Sequence, residues 1–340
     1  MGEILSRVHA NTLVCWAADK PNVVVFSADL TGSTEVDLFR DRYPDRFFSF
    51  GVAEQNMLSF AGGMAREGFV PLVHTFGVFI YRRAYDQVAM SIAYPNLPVR
   101  MFGFLPGVTT PGGATHQAIE DVALMRSLPN MTVIDCGDAT DVETVLPAIE
   151  DIPGPVYVRM LRGEVPRLFA AGEPLRVGGS RLVHRPAKGA ADIAVFSSGI
   201  CTEEAIRAVR ALADRGVAIH HRHVSTLKPF DDPAILEAAA QARLGVITME
   251  NHVVAGGLGT AVAETLAEAG LGKKLVRIGL KDTFAHGASK AYLMKEYGLD
   301  ASELIRQVEG LLGRTLGITE SDLAAVRLEP VHSLAKAEAL

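Results

Sequence analysis

Residues 47–57 read Phe47-Phe48-Ser49-Phe50-Gly51-Val52-Ala53-Glu54-Gln55-Asn56-Met57. A short apolar strand, 47–50, runs into a glycine, and a helix starts almost at once. That joint belongs to a parallel α/β sheet, in which ligands bind at the carboxyl ends of the strands. It puts one carboxylate, Glu54, in the first turn of the helix. A carboxylate there also suits the positive end of the helix dipole without any further role. Its neighbours must decide between the two readings.

Outward from this joint, short continuous apolar runs alternate with helical periodicity, the pattern of a sheet buried on both faces. Helix 4–18 and strand 23–26 precede it. An Ala/Gly-rich helix at 53–67, strand 69–74, helix 78–93 and strand 98–103 follow. Next come a Gly/Pro/Thr loop at 105–115, helix 118–127, strand 131–135, helix 140–150 and strand 155–160. The small residues of 59–65 point to close backbone packing, either within the domain or at a buried interface. Residues 163–191 are rich in Gly and Pro and read as a linker with a short strand at 181–184. A second series then runs through strand 192–197, helix 202–214, strand 217–223, helix 232–241, strand 244–249 and helix 258–269. Strand 275–278 and helices 289–297 and 301–312 complete it. The fold class is therefore α/β, two mostly parallel sheets with helices on both faces. The domains are 1–163 and 192–313, joined by linker 164–191 and followed by a peripheral tail, 314–340.

Composition narrows the function. The 340 residues exceed what one core usually holds, and 49% hydrophobic with 21% charged is ordinary globular chemistry. A net charge of −6 argues against a nucleic-acid partner. Three scattered cysteines (Cys15, Cys136, Cys201) make neither a zinc motif nor a disulfide framework. With no signal-peptide pattern and no membrane-length apolar run, a cytoplasmic location is expected.

Four clusters carry candidate chemistry. The first is the Glu54 turn. The second is His74-Thr75-Phe76-Gly77-Val78-Phe79-Ile80-Tyr81-Arg82, where Phe76, Phe79 and Arg82 at spacings of three suit either core packing or a wall for a flat heteroaromatic ring. The third is Gly112-Gly113-Ala114-Thr115-His116-Gln117, whose glycines admit a ligand and whose His116 is a potential acid or base. The fourth is Val158-Arg159-Met160-Leu161-Arg162-Gly163, two arginines at a strand end that suit an anion such as a sugar phosphate, or linker salt bridges. Two signals are set aside. His220-His221-His223 lacks a third metal ligand, and Ala255-Gly256-Gly257-Leu258-Gly259 does not fit a dinucleotide fingerprint and reads as tight packing.

Taken in order, these strings resemble the transketolase family of thiamine-diphosphate enzymes, over about residues 3–312. Ser27-Ala28-Asp29-Leu30-Thr31-Gly32-Ser33, Pro44-Asp45-Arg46-Phe47-Phe48, Gly51 to Met57, Thr115-His116-Gln117 and Leu128-Pro129-Asn130-Met131 resemble its pyrimidine-binding domain. Leu227-Lys228-Pro229, Gly256-Gly257-Leu258-Gly259 and Lys281-Asp282-Thr283-Phe284 resemble its C-terminal domain. The resemblance implies that Glu54 hydrogen-bonds the pyrimidine ring nitrogen of thiamine diphosphate, within an aromatic wall of Phe76 and Phe79. Arg82 resembles the deoxyxylulose-phosphate synthase branch. His116 matches a histidine near the substrate oxygens, Ser33, Arg162 and Arg7 fall at sugar-phosphate positions, and Arg159 fits the synthase-like branch.

Departures matter as much. The family's Asp four residues before the histidine is Gly112 here, and a histidine twelve before it is Phe104, so the pocket is less polar. The Gly-Asp-Gly motif and following Asn that hold the diphosphate and a divalent metal such as Mg2+ are missing. The nearest imitation is Gly137-Asp138-Ala139, and no Asn occurs from 131 to 250. The resemblance therefore implies half a site, with no metal ligands of its own. A separate N-terminal subunit is expected to complete it, in a two-plus-two heterotetramer acting on sugars or sugar phosphates. The competing readings are a β subunit of a 2-oxo acid dehydrogenase-type or synthase-like enzyme, and a noncatalytic regulatory or binding subunit.

Overall fold

The structure, a computed structural model, describes residues 3–325. It opens with strand β1 (Ile4–Ser6) and a helix, Val8–Trp16, rather than one helix over 4–18. Arg7 separates the two in the left-handed region, φ +54°. Strands β2 (Val23–Ser27), β3 (Phe47–Ser49), β4 (Val70–Phe76), β5 (Arg100–Phe104), β6 (Thr132–Asp135) and β7 (Val156–Met160) then form a parallel sheet. Every residue of β2, Val23-Val24-Val25-Phe26-Ser27, is buried, as a strand covered on both faces requires.

Helix Glu54–Arg66 follows β3 directly, with Glu54 in its first turn and Arg66 in its last, both favourable to its dipole. A Cβ at Gly62 would lie 2.4 Å from the Ser91 carbonyl oxygen, so the small residues serve a tight contact within the domain. The expected helix 78–93 is broken. It consists of a π-helical turn at Phe79–Arg83, one short α turn at Tyr85–Gln87 and a second π-helical stretch at Val88–Ala93.

The linker is more structured than its composition indicates. Strand β8 (Glu164–Pro166) pairs antiparallel with β1, and the Asp138 carboxylate accepts from the amides of Leu168 and Phe169. Strand β9 (Arg181–His184) sits where a strand is expected and forms the antiparallel edge of the second sheet. With β10 (Ile193–Ser197) and β11 (Ile219–His223), it precedes β12 (Thr226–Lys228), β13 (Gly245–Val253) and β14 (Leu275–Leu280). The second sheet runs β14-β13-β10-β11-β9.

Strand β12 leaves its own domain. It pairs antiparallel with β6 and extends the first sheet to seven strands, β12-β6-β7-β5-β4-β2-β3. Lys228 reinforces the crossing by donating from Nζ to the Arg126 carbonyl at 3.0 Å. Within the tail, helix Glu320–Ala324 is fixed by a Thr319–Asp322 capping box and packs on helix Cys201–Asp214, with Leu323 buried. That segment belongs to the second domain. The tail's residues 326–340 lie outside the described residues.

Candidate active site

Gly51 makes the turn between β3 and its helix at φ +64°, and Glu54 lies just beyond, only 4% exposed. Phe76 stands at the end of β4 and Phe79 in the following π turn, their ring centroids 5.8 Å apart. The His116 ring meets both edge-on, 5.6 Å from Phe79 and 6.2 Å from Phe76. Arg162, just past the end of β7, holds its guanidinium 5.8 Å from the Phe76 ring centroid. Three separate sequence clusters thus meet at the carboxyl ends of adjacent strands. Thr115 Oγ1 lies 2.9 Å from His116 Nδ1 and orients the ring. Gly112 packs close beneath it: a Cβ there would lie 3.0 Å from the His116 side chain, which would have to give by a few tenths of an ångström.

The arginine expected in this wall is not Arg82. Arg82 turns away to form a bidentate pair with Glu120, at 2.8 and 2.9 Å, and donates to the Ala114 carbonyl. Arg83 takes the place. Its guanidinium lies 3.9 Å over the Phe79 ring, and its Nη1 donates to Glu54 Oε1 at 2.8 Å. A π turn adds residues to each turn, so a spacing of three no longer keeps side chains on one face.

Beside the wall, Arg162 Nη1 donates to the Ser33 carbonyl at 3.1 Å, and Arg7 pairs with Asp37 at 2.5 Å. The Arg7 amide binds the Gly163 carbonyl, bringing Arg7, Ser33 and Arg162 to one place. Arg162 also lines a cleft of about 560 Å³ between the domains, with Thr109, Thr110 and Lys290 on its other walls.

Arg159 departs from expectation. It is buried at the domain seam, donating to Asp121 at 2.9 and 3.1 Å and to Asp135 at 3.2 Å. It also donates to the carbonyls of Ala118 and Asn251. With these donors committed to protein acceptors, Arg159 ties the domains together.

Residues 5–167 match the profile of the transketolase pyrimidine binding domain and residues 183–304 that of the transketolase C-terminal domain. The chain is 41% identical to a Sinorhizobium fredii protein named an uncharacterized transketolase family protein, y4mN, over 88% of this chain and 86% of that one. The chain belongs to the transketolase family. The 6-deoxy-6-sulfo-D-fructose transketolase subunit SqwH of a Clostridium species is 36% identical, over 89% of this chain and 92% of that protein. A solved structure described as a split gene transketolase, inactive beta4 tetramer, superposes with a TM-score of 0.80 at 36% identity, over 90% of this chain and 97% of that one.

The site can be tested against the family's cofactor through a stand-in of its own. The Arg83 guanidinium is flat, carries N–H donors, stacks on Phe79 and donates to a buried carboxylate. An aminopyrimidine offers the same shape and donor pattern, and Arg83, whose side chain is 46% exposed, has solvent to move into. The residues therefore fit the pyrimidine end. At the other end, Asp138 is committed to the amides of Asp141, Leu168 and Phe169 as a helix cap and linker clamp. Among the described residues no group of three or more His, Cys, Asp or Glu side chains is placed to hold a metal ion, and no helix is long and apolar enough to cross a membrane.

Proposed function

We propose that this chain is the C-terminal subunit of a two-chain transketolase, which moves a two-carbon ketol unit from a ketose to an aldose. Thiamine diphosphate, when bound, supplies the activated carbon that carries the two-carbon unit. Glu54 accepts a hydrogen bond from the aminopyrimidine ring nitrogen and holds its tautomer. Phe76 and Phe79 wall the ring from water, and Arg83 leaves Glu54 as the ring arrives. His116 gives and takes protons at the substrate oxygens, while Arg162, Ser33 and Arg7 receive the far end of the sugar. A partner N-terminal subunit supplies the diphosphate and divalent-metal ligands, in a two-plus-two assembly in the cytoplasm.

The observation that carries this reading is the buried Glu54 carboxylate bonded to a planar cation stacked on Phe79. A relative described as a transketolase subunit, matched over 92% of its length, and a solved structure described as a split gene transketolase support the two-chain arrangement. The test is Glu54→Gln in the complex reconstituted with its partner. Ketol transfer should fall by about a hundredfold or more, the scale of a lost acid–base group, with an unchanged melting temperature. Unchanged turnover refutes a catalytic Glu54. Decarboxylation of a 2-oxo acid without ketol transfer refutes the reaction.

A further inference from the structure

Glu35 was not singled out by any motif, yet it sits among the residues that receive the sugar's far end. It has a left-handed backbone, φ +57°, and is only 5% exposed. Its Oε1 accepts the Gly163 amide at 2.7 Å, next to Arg162. It also lies near enough to the amide of Ala10, in the first turn of the helix that Arg7 opens, for that dipole to favour its charged form. It thus faces the start of that helix from a distant loop, at a place where helix ends ordinarily attract anions. The anion already there is the protein's own. Its second oxygen, Oε2, is buried without a hydrogen-bond partner.

The charges around it point the same way. The cations nearby are Arg162 and Lys290, which line the cleft, and Arg7, which lies beside Glu35. Asp37 pairs directly with Arg7, Glu35 lies beside both arginines, and Glu164 and Glu203 line the cleft. Among the described residues four carboxylates therefore oppose three cations. Burial raises the pKa of Glu35 against the pull of two amides and two arginines. Even a retained proton leaves the count level, with no surplus of positive charge for a phosphate dianion.

We propose that Glu35 is a specificity-determining residue that sets this site for a ketose ending in a hydroxyl rather than in a phosphate dianion. The inference rests on the ketol-transfer reading above and deepens it. Its test compares kcat/KM of the reconstituted complex for D-xylulose and D-xylulose 5-phosphate as donors, with glycolaldehyde as acceptor. The wild-type complex should favour the unphosphorylated donor. Glu35→Gln keeps an acceptor oxygen for the Gly163 amide but removes the charge. It should raise the phosphate-to-hydroxyl ratio by about tenfold or more, the size expected for one nearby unit charge at partial burial. Asp37→Asn should shift the ratio in the same direction, and melting curves confirm that both variants fold. A wild-type preference for the phosphate, or a ratio unmoved by both folded variants, overturns the proposal. Transfer from neither donor refutes the ketol-transfer reading itself, and this proposal falls with it.

Discussion

Replacing Arg159 with Met removes the cation at the domain seam while keeping a long side chain in its place. Asp121 then loses bonds of 2.9 and 3.1 Å, Asp135 loses one of 3.2 Å, and two backbone carbonyls lose their donor. Both carboxylates are buried, and solvent cannot take over. Asp121 keeps the Tyr157 hydroxyl at 2.7 Å, and Asp135, whose pKa burial already raises, takes up a proton. Removing one partner of a buried pair costs about 3–5 kcal/mol. Two carboxylates depend on this one cation, which places Arg159→Met toward the upper end. At roughly 2–4 °C per kcal/mol for a chain of this kind, the melting temperature should fall by roughly 10–15 °C at pH 7.5. Scanning calorimetry of the variant beside wild type reads it. Asp121→Asn combined with Arg159→Met should recover part of the loss, because the stranded charge is gone. A single variant that melts within 3 °C of wild type, a margin of about 1 kcal/mol, refutes the claim that Arg159 holds the seam.

Two further outcomes follow from the geometry. Gly112→Asp, which restores the carboxylate the family resemblance leads one to expect, should lower ketol transfer about tenfold, since a Cβ there meets the His116 side chain at 3.0 Å and displaces it; higher activity would show that His116 needs the acid. Acidification should destabilise the fold, because burial holds the pKa of His9 and His221 at about 3 and that of His252 at about 4, so they stay neutral when folded and bind protons only when unfolded below about pH 6.5. Glu250 works the other way. Its folded pKa, pushed up to about 7 by burial, contributes stability below about pH 4.5 that is lost as pH rises through 7. Three imidazoles outweigh one carboxyl, so the urea midpoint should be lower at pH 5.5 than at pH 7.5 by the equivalent of roughly 1–3 kcal/mol; equal midpoints would contradict the buried neutral histidines.

The parallel sheets were legible because most central strands are short, largely apolar runs with helices on either side, and Val23 to Phe26 admits little else. The turn at Gly51 and Glu54 was legible for the same local reason. Reading failed where pairing is distant or the backbone irregular. Thr226-Leu227-Lys228 carries no sign that its partner is Thr132–Asp135, nearly a hundred residues earlier. The π turn at Phe79–Arg83 moved the wall's cation from Arg82 to Arg83, a shift that helical spacing cannot anticipate. Arg159 and Arg162 looked equivalent in sequence, but Arg159 lies within β7 and points into the seam, whereas Arg162 stands beyond the strand's end and reaches the cleft. Glu35 had no motif around it. Only the fold brings its carboxylate to Gly163.

Strand β12 has a consequence for how this polypeptide comes into being. Until residues 226–228 leave the ribosome, β6 is the open edge of the first sheet, with its backbone donors and acceptors unpaired. The pyrimidine-binding half is therefore finished by its successor, and the growing chain carries an adhesive margin while some ninety further residues are made. Separating the halves at the linker recreates that unfinished state permanently. A gene cut at 164–191 would yield a first product that seeks a third party for its edge, so the joint between the two modules is one of synthesis order as well as of space.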